Sequence, residues 1–183
     1  NNFVNFQIFR VVNGTVLDPA IHELENTILN MTIDVTVVPG TIYDYFVRSV
    51  HSYGVASNLS DALTVAIPFP GLINSPVTTL VDRPEDDGGW LNVSWEDPNA
   101  STLDNFDIYV SSTQFSNISS MTPVITVNST TFSVEVNQSS EGELIDGTPY
   151  WAACIPVDIY NRSITTVVST GPAMSRNDSI LAP

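Results

Sequence analysis

The chain has 183 residues and a formal net charge of −15, with 20 acidic residues against 5 basic ones, all of them arginine. Such a charge repels phosphate backbones and anionic membrane surfaces, which argues against nucleic-acid binding. No run of about 18 apolar residues occurs, which argues against a membrane-spanning helix. Cys154 is the single cysteine, so no disulfide is expected within the chain.

The first part of the chain predicts β-strands, with one exception. Phe6–Phe9 is a short run rich in apolar and aromatic residues, as strands are. The segment Pro19–Asn26 differs, because Ile21, Leu24 and Ile28 would share one face of a helix. We expect at most a short turn of helix there.

The second part of the chain predicts further strands beyond a linker. Residues 69–76 are rich in proline and predict a semi-rigid connection. Beyond them, apolar and polar residues alternate with period 2, which is typical of half-buried strands. The three clearest segments are Leu91–Trp95, Phe106–Val110 and Phe132–Val136. Short strands separated by turns rich in Asp, Gly and Pro favour a β-sandwich.

The two halves of the chain repeat each other. Phe6–Phe9 corresponds to Phe106–Tyr109, and Gly40–Tyr43 corresponds to Gly147–Tyr150. The separation from the first Phe to the Tyr is 37 residues in the first half and 44 in the second, a difference that one loop can absorb. Self-similarity of this kind indicates two copies of one structural unit.

These motifs resemble the fibronectin type III module. Trp95 ends a Leu-x-Val-x-Trp strand that is similar to the family's strand with a buried tryptophan. Val38–Tyr43 and Leu144–Tyr150 resemble its tyrosine-corner segment, in which a tyrosine hydroxyl turns back to a nearby backbone group. Residues 82–89 look like the opening of a variety found in archaeal and bacterial surface proteins. The resemblance implies tandem immunoglobulin-like β-sandwiches, with a structural core that includes Tyr43, Trp95 and Tyr150.

The resemblance also implies a division into domains. Residues 1–68 would form a partial domain with strands C to G, 69–76 the linker, 77–175 a complete domain, and 176–183 a tail or second linker. Phe106 follows about 29 residues of its own domain, whereas only five residues precede Phe6. Strands A and B of the first domain are therefore missing. Either the sequence is a portion of a longer polypeptide, as its start without Met or signal peptide also suggests, or a strand from another chain fills the gap.

The acceptor pattern Asn-x-Ser/Thr occurs ten times, where the composition would give about three matches by chance. The ten asparagines are Asn13, Asn30, Asn58, Asn92, Asn99, Asn117, Asn128, Asn137, Asn161 and Asn177. The excess predicts an N-glycosylated protein that is extracellular or located at the cell surface. Glycans would add bulk and hydration to a surface that carries little charge.

Residues suited to catalysis are few. His22 and His51 are the only histidines, and neither belongs to a metal-ligand or nucleophile motif, which argues against an enzyme. The acidic turn with Asp82, Glu85, Asp86 and Asp87 offers the oxygen ligands that calcium prefers, although it matches no complete calcium loop. Calcium is the only cofactor that the sequence suggests.

These observations favour a structural glycoprotein segment, a building block of a surface filament, surface layer or stalk. Its partners would be copies of itself or other surface proteins, with strand donation to the first domain as one way of joining them, together with its N-linked glycans. One alternative is an adhesion or recognition module that binds a protein or glycan, with Trp90 and Trp151 exposed because their strand parity opposes the core. A second alternative is a spacer module of a secreted hydrolase.

Overall fold

The computed structural model describes residues 3–178 and is built from antiparallel β-sheets throughout that range. The predicted all-β, immunoglobulin-like class is confirmed. No helix in this range is long and apolar enough to cross a membrane. The chain divides into two compact units, unit 1 (Asn1–Gly71) and unit 2 (Leu72–Pro183). The last five residues of the predicted tail, 179–183, and the first two residues of the chain lie outside the described range.

Unit 1 contains a single four-stranded sheet. Its strands are β1 (Phe3–Val12), β2 (Glu23–Thr27), β3 (Ile42–His51) and β4 (Leu63–Ala66), in the order β2-β1-β3-β4. The two long central strands are paired along their whole length, from Phe3 opposite His51 to Val12 opposite Tyr43. Within the described residues, no second sheet lies in this unit.

The segment with the helix-like pattern forms a turn and then a strand. Pro19–Ile21 is a turn, and β2 begins at Glu23 and pairs with β1. Ile21 and Ile28 are exposed, so the helical face suggested by the spacing is not formed. The pairing with β1 satisfies backbone groups that a helix of this length would leave unbonded at both ends.

Unit 2 is a sandwich of two sheets. Its strands are β5 (Thr78–Asp82), β6 (Leu91–Trp95), β7 (Leu103–Ser111), β8 (Ile125–Asn128), β9 (Ser133–Val136), β10 (Gln138–Ser139), β11 (Gly142–Glu143), β12 (Pro149–Asp158) and β13 (Thr170–Met174). One sheet has the order β5-β6-β9 and the other β13-β12-β7-β8, with β10 and β11 as a small hairpin. The inward residues of both sheets form one apolar core around Trp95 and Phe106, whose ring centroids are 5.3 Å apart.

A second apolar cluster lies on the outer face of the four-stranded sheet in unit 2. Tyr109, Ala153 and Ile155 project from β7 and β12, and they are covered by Ile118 and Val167 from two long loops. Strand β12 is therefore apolar on both faces. This explains its nearly continuous run of apolar residues, which is typical of a strand buried on both sides.

The central strands of the two units are paired in the same register. Ile8 lies opposite Val47 in unit 1, and Ile108 lies opposite Cys154 in unit 2. Phe6 is opposite Ser49, and Phe106 is opposite Pro156. The sheet β2-β1-β3-β4 therefore corresponds strand by strand to β8-β7-β12-β13.

Candidate functional site

One face of the sheet in unit 1, called here the inner face, is largely apolar and is only partly shielded from solvent. It is defined by Phe6 and Ile8 of β1 and by Tyr43, Tyr45 and Val47 of β3, which alternate with the residues of the opposite face. Four of these five side chains are left half-buried or exposed, and only Tyr43 is buried. An apolar sheet face normally packs against another layer.

The corresponding face of unit 2 is covered completely. Phe106, Ile108, Ala152 and Cys154 occupy the same register positions there, and each has an exposed fraction of 0%. The sheet β5-β6-β9 supplies the cover. Val47, at the position of Cys154, is 40% exposed. Within the described residues, unit 1 therefore has a core-type face without the sheet that covers its counterpart in unit 2.

The uncovered part of the inner face is a cavity of about 510 Å³. Its size is within the range of sites that bind small molecules or peptide side chains. Apolar side chains dominate its walls. The lining residues used below are Phe6, Ile8, Leu29, Met31, Val47 and Leu63.

The segment Asn30–Val37, called here the rim segment, lies beside the cavity and is held by a polar network. Asp34 Oδ2 accepts hydrogen bonds from Arg10 Nη1 at 2.6 Å and from the Tyr45 hydroxyl at 2.8 Å. The Arg10 guanidinium lies 4.7 Å from the centre of the Tyr43 ring. Polar residues of the rim segment thus face the sheet, while Ile33 and Val35 are 77% and 84% exposed.

The Asp34 carboxylate gives unit 1 a defined pH dependence. Burial alone would raise its pKa, but hydrogen bonds from Thr36, Tyr45 and Arg10 outweigh burial and lower the pKa from 3.8 to about 2. A lowered carboxyl pKa contributes stability that is present above the unfolded value, near pH 4, and is lost as the pH falls through about 2. We expect unit 1 to lose about 1–2 kcal/mol across this window.

The variant Asp34→Asn should be less stable at neutral pH and should lack this acid-dependent loss. Urea unfolding at several pH values, followed by circular dichroism, measures the effect. Tryptophan fluorescence follows unit 2 in parallel, because all three tryptophans lie there. An unchanged pH profile in the variant would show that Asp34 is not the group responsible.

The backbone N–H and C=O groups of the rim segment are not paired with a neighbouring strand. Within the described chain, residues 30–37 make no backbone-to-backbone hydrogen bond, and their bonds are made through side chains such as Asp34 Oδ1, which accepts from Thr36 N at 2.9 Å. Backbone groups of an extended segment pair readily with a further strand. The apolar cavity is thus bordered by chain that can be extended into a sheet.

Both units contain the tyrosine corner that the motifs suggest. The Val38 N–H donates to the Tyr43 hydroxyl at 3.1 Å, and the Ile145 N–H donates to the Tyr150 hydroxyl at 3.0 Å. Gly40 precedes Tyr43 with a φ of +77°, and a Cβ at this position would lie 2.2 Å from the Phe69 ring. Tyr43, Trp95 and Tyr150 are all buried.

Two of the four residues proposed for calcium binding accept hydrogen bonds from backbone groups of the protein. Asp82 Oδ1 accepts from Arg176 N at 3.0 Å, and Asp86 Oδ1 accepts from Gly88 N at 2.8 Å. Burial and the neighbouring charges of Asp178 and Asp86 raise the pKa of Asp82. Glu85 and Asp87 are exposed. Across residues 3–178, no group of three or more His, Cys, Asp or Glu side chains is arranged to hold a metal ion, so calcium binding stays a prediction without geometric support.

The glycosylation acceptors are mostly accessible. Nine of the ten sequon asparagines are exposed, and they lie in turns, loops and strand ends. Asn99 and Asn161 have positive φ angles of 51° and 57°, which are typical of tight turns. Asn92 differs because it lies in the middle of β6, opposite Val81, with its Oδ1 buried.

The remaining candidate residues have local packing roles. Trp90 and Trp151 are half-buried rather than exposed, and the Arg83 guanidinium lies 5.3 Å from the Trp90 ring. His22 Nδ1 accepts from Asp18 N at 2.8 Å. Cys154 is buried, and burial raises the pKa of its thiol, which suppresses the reactive thiolate.

No family model and no curated protein matches the chain. One of the solved structures that match it is the FN1–FN3 fragment of chicken CNTN1, with 14% identity, a TM-score of 0.40 and coverage of 93% of this chain. The chain covers 57% of that structure. Because this identity and this TM-score are low, the fold is assigned from the strand order, register and tyrosine corners described above. Unit 2 is an immunoglobulin-like β-sandwich.

Proposed function

We propose that the chain is a segment of an extracellular structural glycoprotein and a building block of a cell-surface filament, surface layer or stalk. The observation that carries the proposal is the exposure of nine of the ten sequon asparagines on two β-units. A surface with few charges needs other groups for hydration, and glycans at these positions would provide them.

The geometry of the acceptors supports this proposal. Asn128 Oδ1 accepts hydrogen bonds from the backbone N–H and hydroxyl of Thr130, at 3.0 and 2.7 Å. Asn117 Oδ1 accepts from Ser119 N at 2.8 Å. In both sequons the oxygen is engaged by the third residue of the pattern. The exposed side chain leaves room for a glycan at the nitrogen.

The proposed partners are copies of the chain or other surface proteins, together with the N-linked glycans. A net charge of −15 keeps such modules apart from nucleic acid and anionic lipid. A role in glycan or protein recognition through exposed tryptophans has less support, because Trp90 and Trp151 are half-buried. A spacer role in a hydrolase would require a catalytic domain in flanking sequence.

Glycan mapping of the native protein tests the proposal. We expect the exposed sequons to carry glycans and Asn92 to be the least occupied, because Val81 and Glu135 flank it on the neighbouring strands. In a glycosylating host, Asn128→Gln should remove the mass of one glycan, whereas Asn92→Gln should leave the total glycan mass unchanged. Intact mass before and after glycan release measures both.

A native protein with no glycan at any of the ten positions would contradict the proposal. Electron microscopy of the source material supplies the second readout. A filament, layer or stalk that antibodies against this chain decorate would support the structural role, and a chain found only as dispersed single molecules would contradict it.

A further inference from the structure

We propose that Asn13 is a deamidation site, at which the chain converts its own side-chain amide to aspartate or isoaspartate with release of ammonia. The reaction acts as a slow chemical timer on the sheet of unit 1. Asn13 is the only asparagine that glycine follows in the sequence. This inference goes beyond the proposed function, because it concerns chains whose Asn13 carries no glycan.

The turn that contains Asn13 presents the groups that must react. It follows the end of β1, and the Thr15 N–H donates to the Val12 carbonyl oxygen at 2.9 Å. Both Asn13 and Gly14 are exposed, so water and base reach them. Within the described residues, the Gly14 N–H donates no hydrogen bond to another backbone group, which leaves this nitrogen available for attack on the Asn13 side chain.

Glycine at position 14 removes the usual steric obstacle to that attack. A side chain on the residue after asparagine crowds the backbone nitrogen, and glycine has none. Gly14 has a φ of +85°, and a Cβ placed on it would meet no atom within 4 Å. The Gly14 nitrogen forms a bond with Cγ of Asn13, the Cγ–Nδ2 bond breaks, and ammonia leaves with the proton of the Gly14 amide. Water then opens the resulting succinimide at either carbonyl, and no atom is oxidised or reduced.

The Asp44 carboxylate makes the product of this reaction costly for the fold. Asn13 Nδ2 donates to Asp44 Oδ1 at 3.2 Å and to Oδ2 at 3.0 Å, and the Thr64 hydroxyl donates to Oδ1 at 2.6 Å. Asp44 therefore joins the end of β1 to β3 and β4. Deamidation replaces the donor amide with a carboxylate. Two like charges then face each other at a distance at which each disfavours the charged form of the other.

Peptide mapping of protein from a non-glycosylating host tests the inference. After incubation at mildly alkaline pH and physiological temperature, the peptide with Asn13 should gain the mass that accompanies exchange of NH2 for OH. Isoaspartate should appear beside aspartate, because water can open either side of the succinimide. Asn128 is the internal control, since it is also exposed but precedes Ser129, which has a side chain. We expect Asn13 to react at least about tenfold faster than Asn128.

The matched protein variants are Gly14→Ala and Asn13→Asp. Gly14→Ala adds one methyl group in open space, and it should slow deamidation of Asn13 at least about fivefold. Asn13→Asp supplies the aspartate product as a uniform sample. It should raise the unfolding constant of unit 1 about three- to tenfold, and Asp44→Asn in the same chain should remove most of this effect. Urea unfolding followed by circular dichroism measures both constants.

Three results would overturn the inference. One is an Asn13 that reacts no faster than Asn128, and a second is an unchanged rate in Gly14→Ala, because the Gly14 nitrogen would then not be the attacking group. The third is an Asn13→Asp variant as stable as the wild type, because the reaction would then have no effect on the sheet. These measurements use unglycosylated protein and the glycan map uses native protein, so this inference and the proposed function fail separately.

Discussion

Replacing Trp95 with alanine should destabilise unit 2 by about 3–5 kcal/mol, which is the usual cost of removing a large aromatic side chain from a packed core. Trp95 is buried between the two sheets and makes an edge contact with Phe106, which in turn packs against Phe132. Urea unfolding followed by fluorescence of the two remaining tryptophans measures the loss.

Two variants sharpen this test. The Trp95 Nε1 is buried without a hydrogen-bond partner among the described residues, so its N–H contributes little net stability. Trp95→Phe should therefore cost less than half as much as Trp95→Ala. Trp90→Ala, at a half-buried position over Arg83, should cost about 1 kcal/mol. Equal losses for Trp90→Ala and Trp95→Ala would contradict the assignment of Trp95 to the core.

Alanine substitutions of Ile8 and Ile108 should differ strongly in cost, although the two residues occupy the same register position. Ile108 has an exposed fraction of 0%, and Ile108→Ala should destabilise unit 2 by about 2–5 kcal/mol. Ile8 borders a cavity that already exists, so Ile8→Ala removes fewer contacts and should cost unit 1 about 1 kcal/mol. The difference measures how open the inner face is.

Unfolding of each variant by urea, with circular dichroism for unit 1 and tryptophan fluorescence for unit 2, gives the two costs. Similar losses for the two variants would show that the inner face is covered in solution.

Much of the fold could be predicted because strand periodicity is a local property of the sequence. The alternation in Leu91–Trp95 corresponds to β6 with the same bounds, and the Phe-x-Ile repeat lies at the centre of β1 and β7. The segment Pro19–Asn26 was harder to predict. A few apolar residues fit a helical or an extended period equally well, and the pairing of β2 with β1 decided between them.

The loop-covered cluster on the outer face of unit 2 was missed, although the sequence contains a signal for it. The run from Tyr150 to Val157 is apolar on both parities, which indicates a strand buried on both faces. Strand parity alone is also a poor guide to exposure. Trp151 has outward parity and is nevertheless half-buried.

The candidate site was predicted only in part. The resemblance predicted a first domain with strands C to G, but it did not predict the rim segment or the network of Arg10, Asp34 and Tyr45. These three residues are distant in sequence, and only the folded sheet brings them together. In the acidic turn, residues that are close in sequence do not combine into one site. Asp86, for example, directs its Oδ1 to the backbone N–H of Gly88.

The sequence by itself determined the β architecture, the repeat and the positions of the sequons, because each depends on residues that are neighbours along the chain. Only the tertiary structure decided which apolar face is covered, which acids are engaged and which tryptophans are shielded. Burial depends on what packs above a residue. In unit 1, the residues of a core face are present, and the described chain places no second sheet over them.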